Sequence, residues 1–343
     1  MATKHIIVDD LSVEYLGATK KIYALQHVSL DINRGESIAL VGESGCGKST
    51  LGVSFINLLP LNSRITSGTI KFISNSKEID IFKTPTSELQ KLRWSKIVMM
   101  AQGALNAFNP VMRIRDHFID TAYSHGWKNK TEILNKARYL LKRVHLDSER
   151  VLSSFPHELS GGMRQRVLLS LGLLLNPEVV ILDEPTTALD ILTQRNIIEL
   201  LKELKKEFNF TLIFITHDLS LAAELADRVA VMYAGKAVEV GDVYDIFATP
   251  YHPYTAGLIT STPKLRGEST EVTSIPGSPP NLSEIFKGCP FYERCPLRSN
   301  VCINSQPKLT AVEEKDGHLV ACHHASKNTL EHIKQGDWLS TIQ

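Results

Sequence analysis

Charge of one sign is what this sequence most plainly lacks. Lysines and arginines number 38 and aspartates and glutamates 37, for a net charge of +1. So close a balance advertises neither a nucleic-acid face nor attachment to an anionic lipid surface. Long hydrophobic runs are missing as well. None approaches the roughly 20 residues needed to cross a bilayer, and the longest, Val167 to Leu175, reads as a buried helix. The opening stretch, Met1 to Asp10, has no signal-peptide apolar core, so the chain is expected to stay in the cytoplasm, whatever membrane partners it has. Internal repeats and low-complexity tracts are absent. Cysteine is sparse until late: of five, only Cys46 precedes Cys289. In a reducing compartment such a late cluster suggests a metal site before a disulfide framework. What is present is ordinary for a globular protein: 43% hydrophobic and 22% charged residues. A chain of 343 residues exceeds one average domain, so two domains, or one large domain and an appendage, are expected.

The most informative stretch is Gly42-Glu43-Ser44-Gly45-Cys46-Gly47-Lys48-Ser49-Thr50, which has the G-x-x-x-x-G-K-[ST] form of a phosphate-binding loop. An apolar strand, Ser37 to Val41, precedes it, and a helix expected from Thr50 to Leu59, stopped by Pro60, follows. Glycines let the backbone wrap an anion with successive N–H groups pointing inward, and the helix start adds partial positive charge. Lys48 is expected on the β- and γ-phosphates and the Ser49 hydroxyl on Mg²⁺.

The rest of the chain supplies the setting. Residues 5–15 and 23–32 read as strands, and 68–73 and 79–82 as short strands of a small antiparallel sheet. Residues 96–101 form another buried strand, which delivers Gln102 at its end. Apolar spacing of three and four predicts helices over 115–125, 131–146 and 161–175, a helical insertion between strands. Strand 178–182, helix 191–208 and strand 210–216 then restore an alternation that means a mostly parallel α/β sheet, whose ligands bind at the carboxyl ends of strands. After Gly241 prolines recur and periodicity fades, so a separate, loop-rich C-terminal appendage is expected, with one short helix near 329–333.

Two further motifs carry chemistry. Val179-Val180-Ile181-Leu182-Asp183-Glu184 is an apolar strand ending in two carboxylates. Beside a phosphate loop the first suits the water shell of Mg²⁺ and the second the attacking water. Leu159-Ser160-Gly161-Gly162-Met163-Arg164-Gln165-Arg166 opens a helix with a natural N-cap serine and bare glycine amides, either a second anion site or simply a capped helix start.

Taken in order, the phosphate loop, Gln102, LSGGMRQR, ILDEPTTALD and Thr216-His217-Asp218 resemble the nucleotide-binding subunit of an ATP-binding cassette (ABC) transporter over roughly residues 5–245. The resemblance implies a phosphate-loop (RecA-like) α/β nucleotide-binding domain over 1–245, with an antiparallel β subdomain and a helical subdomain over about 103–175. It implies a head-to-tail pair of cassettes, with ATP between one phosphate loop and the partner's signature. Tyr15 would then stack on adenine, residues Gly42 to Thr50 would hold the phosphates, and Ser160, Gly161, Gly162 and Gln165 would meet the partner's ATP. Glu184 would be general base, His217 the γ-phosphate switch, Asp190 a cross-dimer contact, and Ser49, Gln102 and Asp183 the Mg²⁺ ligands. Cys46 replaces a more frequent serine and leaves a thiol open to reaction. Gln102-Gly103-Ala104 departs from the more frequent Q-D-P form.

His252-Pro253-Tyr254-Thr255, Pro276 to Pro280, Cys289 to Pro296 and Gly317 to Cys322 resemble the extension, here 246–343, of dipeptide/oligopeptide-type importers, whose relatives also serve nickel and oligosaccharides. The four late cysteines, Cys289, Cys295, Cys302 and Cys322, lack the paired C-x2-C knuckles of zinc sites. An iron–sulfur cluster is open to such thiolates, zinc or unligated thiols are the alternatives, and His323 and His324 permit mixed ligation. The resemblance points to [4Fe–4S]. It further implies two transmembrane permease subunits, a second cassette (a paralogue or a copy of this chain), an extracytoplasmic substrate-binding protein, and a place at the cytoplasmic face of the membrane. A soluble ABC ATPase working on nucleic acid or ribosomes is the alternative of another class, disfavoured by the single cassette and the missing basic surplus. A redox sensor built on the appendage is a third.

Overall fold

The computed structural model describes residues 3–17, 19–101, 107–187, 189–261, 274–313, 315 and 317–334. The chain forms two compact units, one of Met1–Thr3, Asn33–Glu36 and Ile81–Ile215, the other of Lys4–Ile32, Ser37–Asp80 and Thr216–Gln343.

The second of these begins with β1 (Lys4–Leu16), β2 (Lys21–Asn33), β3 (Ser37–Val41), α1 (Lys48–Ser54), β4 (Ser63–Ser74) and β5 (Lys77–Asp80). Strands β2-β1-β4-β5 make an antiparallel sheet, with Ile6 opposite Phe72 and Val8 opposite Ile70. These four side chains are buried, each contributing roughly 1.5–3 kcal/mol. Asn75 and Ser76 turn the β4–β5 hairpin with φ of 49° and 62°, the left-handed pair that suits a two-residue connection. Helix α1 is shorter than the expected 50–59 because Asn57, at φ 48°, closes it early. The Leu58 N–H returns to Val53 O at 3.0 Å and Asn57 N–H to Ser54 O at 3.1 Å, a Schellman closure that ends the helix ahead of Pro60.

The other unit holds α2 (Thr86–Leu92), β6 (Ile97–Met100), α3 (Ile114–Ser124), α4 (Lys130–Arg143), α5 (Ser148–Ser153), α6 (Gly161–Gly172), β7 (Val179–Asp183), α7 (Ile191–Phe208) and β8 (Thr211–Thr216), the last running into the next unit at Thr216. Strands β8-β7-β6 are parallel neighbours. Their apolar residues are buried almost without break, as parallel strands between helical layers require. The expected helical insertion is present as α3 to α6. Asn129 starts α4 by accepting the N–H groups of Thr131 and Glu132, and Ile133, Ala137, Leu140 and Leu141 supply its buried face.

The chain then returns to the unit that holds β1 to β5 through α8 (Leu219–Leu225), β9 (Arg228–Tyr233), β10 (Lys236–Asp242), α9 (Val243–Ala248), α10 (Pro253–Thr260), α11 (Asn300–Asn304), β11 (Thr310–Ala311), β12 (Leu319–Val320) and α12 (Thr329–Lys334). Strand β3 pairs with β9 in parallel, and β9, β10, β12 and β11 continue antiparallel. The extension therefore carries more regular structure than its prolines suggest. His252 caps α10 and Pro253 takes its first turn, a position where a missing N–H costs nothing.

Two stretches beyond 246, around His252 and around His318, are anchored on one buried carboxylate. Glu239 of β10 is fully buried. It accepts the N–H groups of Tyr251 at 2.6 Å and His252 at 3.1 Å, and His318 Nε2 lies 2.8 Å from it. The HPYT and GHLVAC stretches, far apart in sequence, thus meet at a single side chain.

Candidate functional site

The phosphate loop leaves β3 at Gly42 and enters α1 at Lys48. Gly42 has φ 147°, and a Cβ there would lie 2.2 Å from the Met232 carbonyl oxygen and 2.9 Å from Cys46 Sγ. Only glycine fits between β9 and the loop. Gly47, at φ 104°, faces the same limit against Ala24 O at 2.4 Å. The loop is thus fixed from beneath by β2 and β9, while Ser44, Gly45 and Ser49 are exposed above it.

Lys48 is buried at 6% exposure. Its ammonium donates to the carbonyls of Gly42 at 2.8 Å and Glu43 at 2.9 Å, so the loop's own oxygens hold the cation at its mouth. Tyr15 approaches from β1, with its hydroxyl 3.1 Å from Thr50 Oγ1. His217 is exposed in the same unit. The neighbouring Asp218 accepts from the Ser220 and Leu221 N–H groups to start α8, and its own N–H donates to Thr216 Oγ1 at 2.9 Å.

Cys46 is not the reactive thiol its position suggested. It is 5% exposed, and burial pushes its pKa up despite the nearby Lys48 ammonium. The nucleophilic thiolate is therefore disfavoured.

In the other unit, β7 ends at Asp183, which is 6% exposed. Glu184 follows at φ 50°, an uncommon conformation for a residue with a side chain. Its N–H donates to Ile215 O at 2.9 Å, and its carboxylate accepts from Thr187 Oγ1 at 2.8 Å. Ser160 caps α6 by accepting the Met163 N–H at 3.3 Å. Ser160 is exposed and the two glycines after it are half-buried, whereas Gln165 is buried. Asp190 caps α7, accepting from Thr193 Oγ1 at 2.6 Å and Thr193 N–H at 2.9 Å. These bonds hold its pKa below the usual carboxylate value. Gln102 lies outside the described residues.

Sequence reasoning passed over two links in the phosphate-loop unit. The Arg294 guanidinium, 5% exposed, forks onto the Glu43 carboxylate through Nη1 at 2.7 Å and Nη2 at 2.8 Å. The Glu43 N–H donates to Tyr254 Oη at 2.8 Å. Arg294 lies inside the cysteine-rich stretch, where neither spacing nor periodicity marks a lone arginine as the partner of Glu43.

Those thiols require a correction. Among the described residues, no group of three or more His, Cys, Asp or Glu side chains is placed to hold a metal ion. The expected [4Fe–4S] cluster on Cys289, Cys295, Cys302 and Cys322 therefore falls, as does zinc. The physical reason is burial. It pushes Cys322 up to about 12 and raises Cys289 and Cys295, so in the metal-free chain these three are protonated free thiols. Cys322 Sγ instead accepts the His324 N–H at 3.3 Å, and Ser299 Oγ lies 3.7 Å from Cys302 Sγ.

Comparison with known proteins agrees with the order of these features. The ABC transporter family model matches residues 25–187, and the model for the oligopeptide/dipeptide transporter C-terminal region matches 238–302. The chain is 46% identical to the dipeptide transport ATP-binding protein DppD of Caldanaerobacter subterraneus subsp. tengcongensis, over 93% of this chain and 96% of that protein. It is 40% identical to the oligopeptide transport ATP-binding protein OppD of Salmonella typhimurium, over 92% of each. Among solved structures, the dimeric post-hydrolysis state of the ATP-binding cassette MJ0796 bound to ADP and Pi matches with a TM-score of 0.60 and 29% identity, covering 69% of this chain and 98% of that one.

Proposed function

This chain belongs to the ABC transporter family, in the branch that carries the oligopeptide/dipeptide transporter C-terminal region, and from that premise we propose how its residues divide the work of ATP hydrolysis. The protein is the ATP-hydrolysing subunit of a peptide importer, a peripheral subunit that pairs with a second cassette and works with permease subunits. Nothing favours nickel, oligosaccharide or nucleic acid over peptide. The observation that carries the reading is similarity along nearly the whole chain, extension included, to dipeptide and oligopeptide transport ATP-binding proteins.

The phosphate loop binds the triphosphate, with Lys48 already lodged at its mouth on the Gly42 and Glu43 carbonyls. Swinging that ammonium from two carbonyls to anionic oxygens strengthens its hydrogen bonds, since charge-assisted pairs are roughly twice as strong as neutral ones. The oxygen donors on hand suit Mg²⁺, which takes few protein ligands and shares the rest with phosphate and water. Ser49 and Asp183 would hold it. When bound, Mg²⁺ would supply positive charge to offset the negative charge developing on the transferred phosphoryl group. Glu184, fixed through its backbone and Thr187, accepts the proton of the attacking water, and His217 contacts the γ-phosphate. Tyr15, tied to Thr50, offers its ring to adenine. Ser160, Gly161 and Gly162 form the accessible part of the signature that serves the partner's nucleotide, and Asp190 answers across the pair.

We further assign the chain to the cytoplasmic face, with an extracytoplasmic binding protein delivering peptide and a paralogue or a second copy as the partner cassette. The test is Glu184→Gln in reconstituted vesicles. The variant is expected to bind ATP with near-normal affinity while hydrolysis falls about 10²-fold or more. Undiminished hydrolysis would remove Glu184 from the role of base.

A further inference from the structure

The extension gives no group to the chemistry above, yet two of its side chains are fastened to the phosphate loop. Glu43 is the second residue of that loop, and its side chain and its amide are both held from more than two hundred residues away. Arg294 takes the carboxylate in a bidentate fork and is itself fixed: Nε donates to Pro276 O at 2.8 Å and Nη1 to Tyr233 Oη at 3.3 Å. Its guanidinium carbon lies 5.8 Å from the Tyr233 ring centre and 5.9 Å from that of Phe291. Tyr254, fully buried, accepts the Glu43 N–H at 2.8 Å. Its ring is in turn packed against Tyr233 and Phe291.

A carboxylate in a loop that receives a triphosphate poses an electrostatic problem, because like charges at close range in a partly dry site repel. A planar guanidinium answers it better than an ammonium, since the fork neutralises both oxygens and fixes their direction.

We propose that Arg294 and Tyr254 are positioning residues for ATP, through which the C-terminal extension holds Glu43 neutralised and the phosphate loop in its nucleotide-accepting shape. The proposal rests on the assignment of residues 42–50 as the ATP phosphate site. The extension is then a built-in brace on nucleotide affinity: displacing residues 276–294 would release a negative charge into the phosphate site.

The test measures MgATP affinity of the full chain by calorimetric titration, together with KM and kcat in the assembled transporter and the melting temperature. Arg294→Ala is expected to weaken MgATP binding about tenfold or more, with kcat at saturating ATP changed far less. Arg294→Lys, which keeps the charge but loses the fork, falls between. Tyr254→Phe, losing the acceptor of the Glu43 amide, raises KM about two- to tenfold. The deciding variant is Arg294→Ala with Glu43→Gln, which removes both charges and is expected to recover most of the lost affinity. A merely structural role lowers the melting temperature of single and double variants alike and gives no recovery; that result overturns the proposal, as does wild-type affinity in Arg294→Ala. If Arg294→Ala does not fold, Arg294→Lys and the double variant carry the same comparison. Failure of the unaltered chain to bind MgATP would instead overturn the ATP reading itself.

Discussion

His252 makes the stability of the phosphate-loop unit depend on pH in a calculable way. The imidazole is 2% exposed, and burial lowers its pKa from 6.5 to about 3. Its Nδ1 accepts the Tyr254 N–H at 3.0 Å and so starts α10, a bond only the neutral ring can make. The folded state refuses a proton that the unfolded chain accepts, so this contribution is complete above pH 6.5 and is lost as pH falls from there towards 3. Each pH unit below the unfolded value costs about 1.4 kcal/mol, which gives about 2 kcal/mol between pH 7 and pH 5. Urea midpoints at both pH values, for the unaltered chain and for His252→Asn, isolate the effect. Asparagine keeps a capping oxygen but does not titrate. It leaves a cavity and lowers stability at both pH values, yet the loss between pH 7 and pH 5 should shrink by about 2 kcal/mol. Equal pH slopes for the two proteins would refute the argument.

Two other outcomes follow from buried groups in the same unit. Glu239→Ala would leave the Tyr251 and His252 amides and the His318 ring without their common acceptor, at a cost of about 3–5 kcal/mol read from urea unfolding; a loss under about 1 kcal/mol would show that these donors find other partners. Cys46, buried and with its pKa raised, should resist iodoacetamide in the native chain at pH 8 and label readily once unfolded, whereas rapid native labelling detected by mass spectrometry would mean that the loop opens.

The signals legible in the sequence were those written within one segment. The phosphate loop and the Asp183-Glu184 strand end each lie within a few consecutive residues, where backbone conformation and side-chain role are set together. Helix α7 was readable to its ends because Asp190 starts it, five residues from 197 to 204 bury one face, and Asn209 at φ 49° closes it. Strands β11 and β12 were illegible for the opposite reason. Two residues have no periodicity, and only pairing to β10 makes them strands. The iron–sulfur expectation failed on a related point: cysteine spacing records distance along the chain, whereas ligation depends on a ligand geometry in space, and among the described residues no group of three or more His, Cys, Asp or Glu is placed to hold a metal ion.

One signal was available and went unused. Lys236-Ala237-Val238-Glu239-Val240-Gly241-Asp242 places a carboxylate among apolar residues in a strand, and a charge is buried only with partners. Glu239 therefore requires donors from elsewhere in the chain, and the HPYT and GHLVAC stretches supply them. Glu43, an acid in an anion-binding loop, likewise calls for a cation from elsewhere in the chain. The partners of both lie beyond residue 245, at Arg294, His318 and the amides that precede Tyr254. A segment that satisfies two costly carboxylates in the nucleotide-binding part is under strong constraint even where it touches no substrate. That gives a physical reason for a proline-rich stretch with little periodicity to carry a recognisable sequence pattern: its fixed points are partners for carboxylates of the nucleotide-binding part.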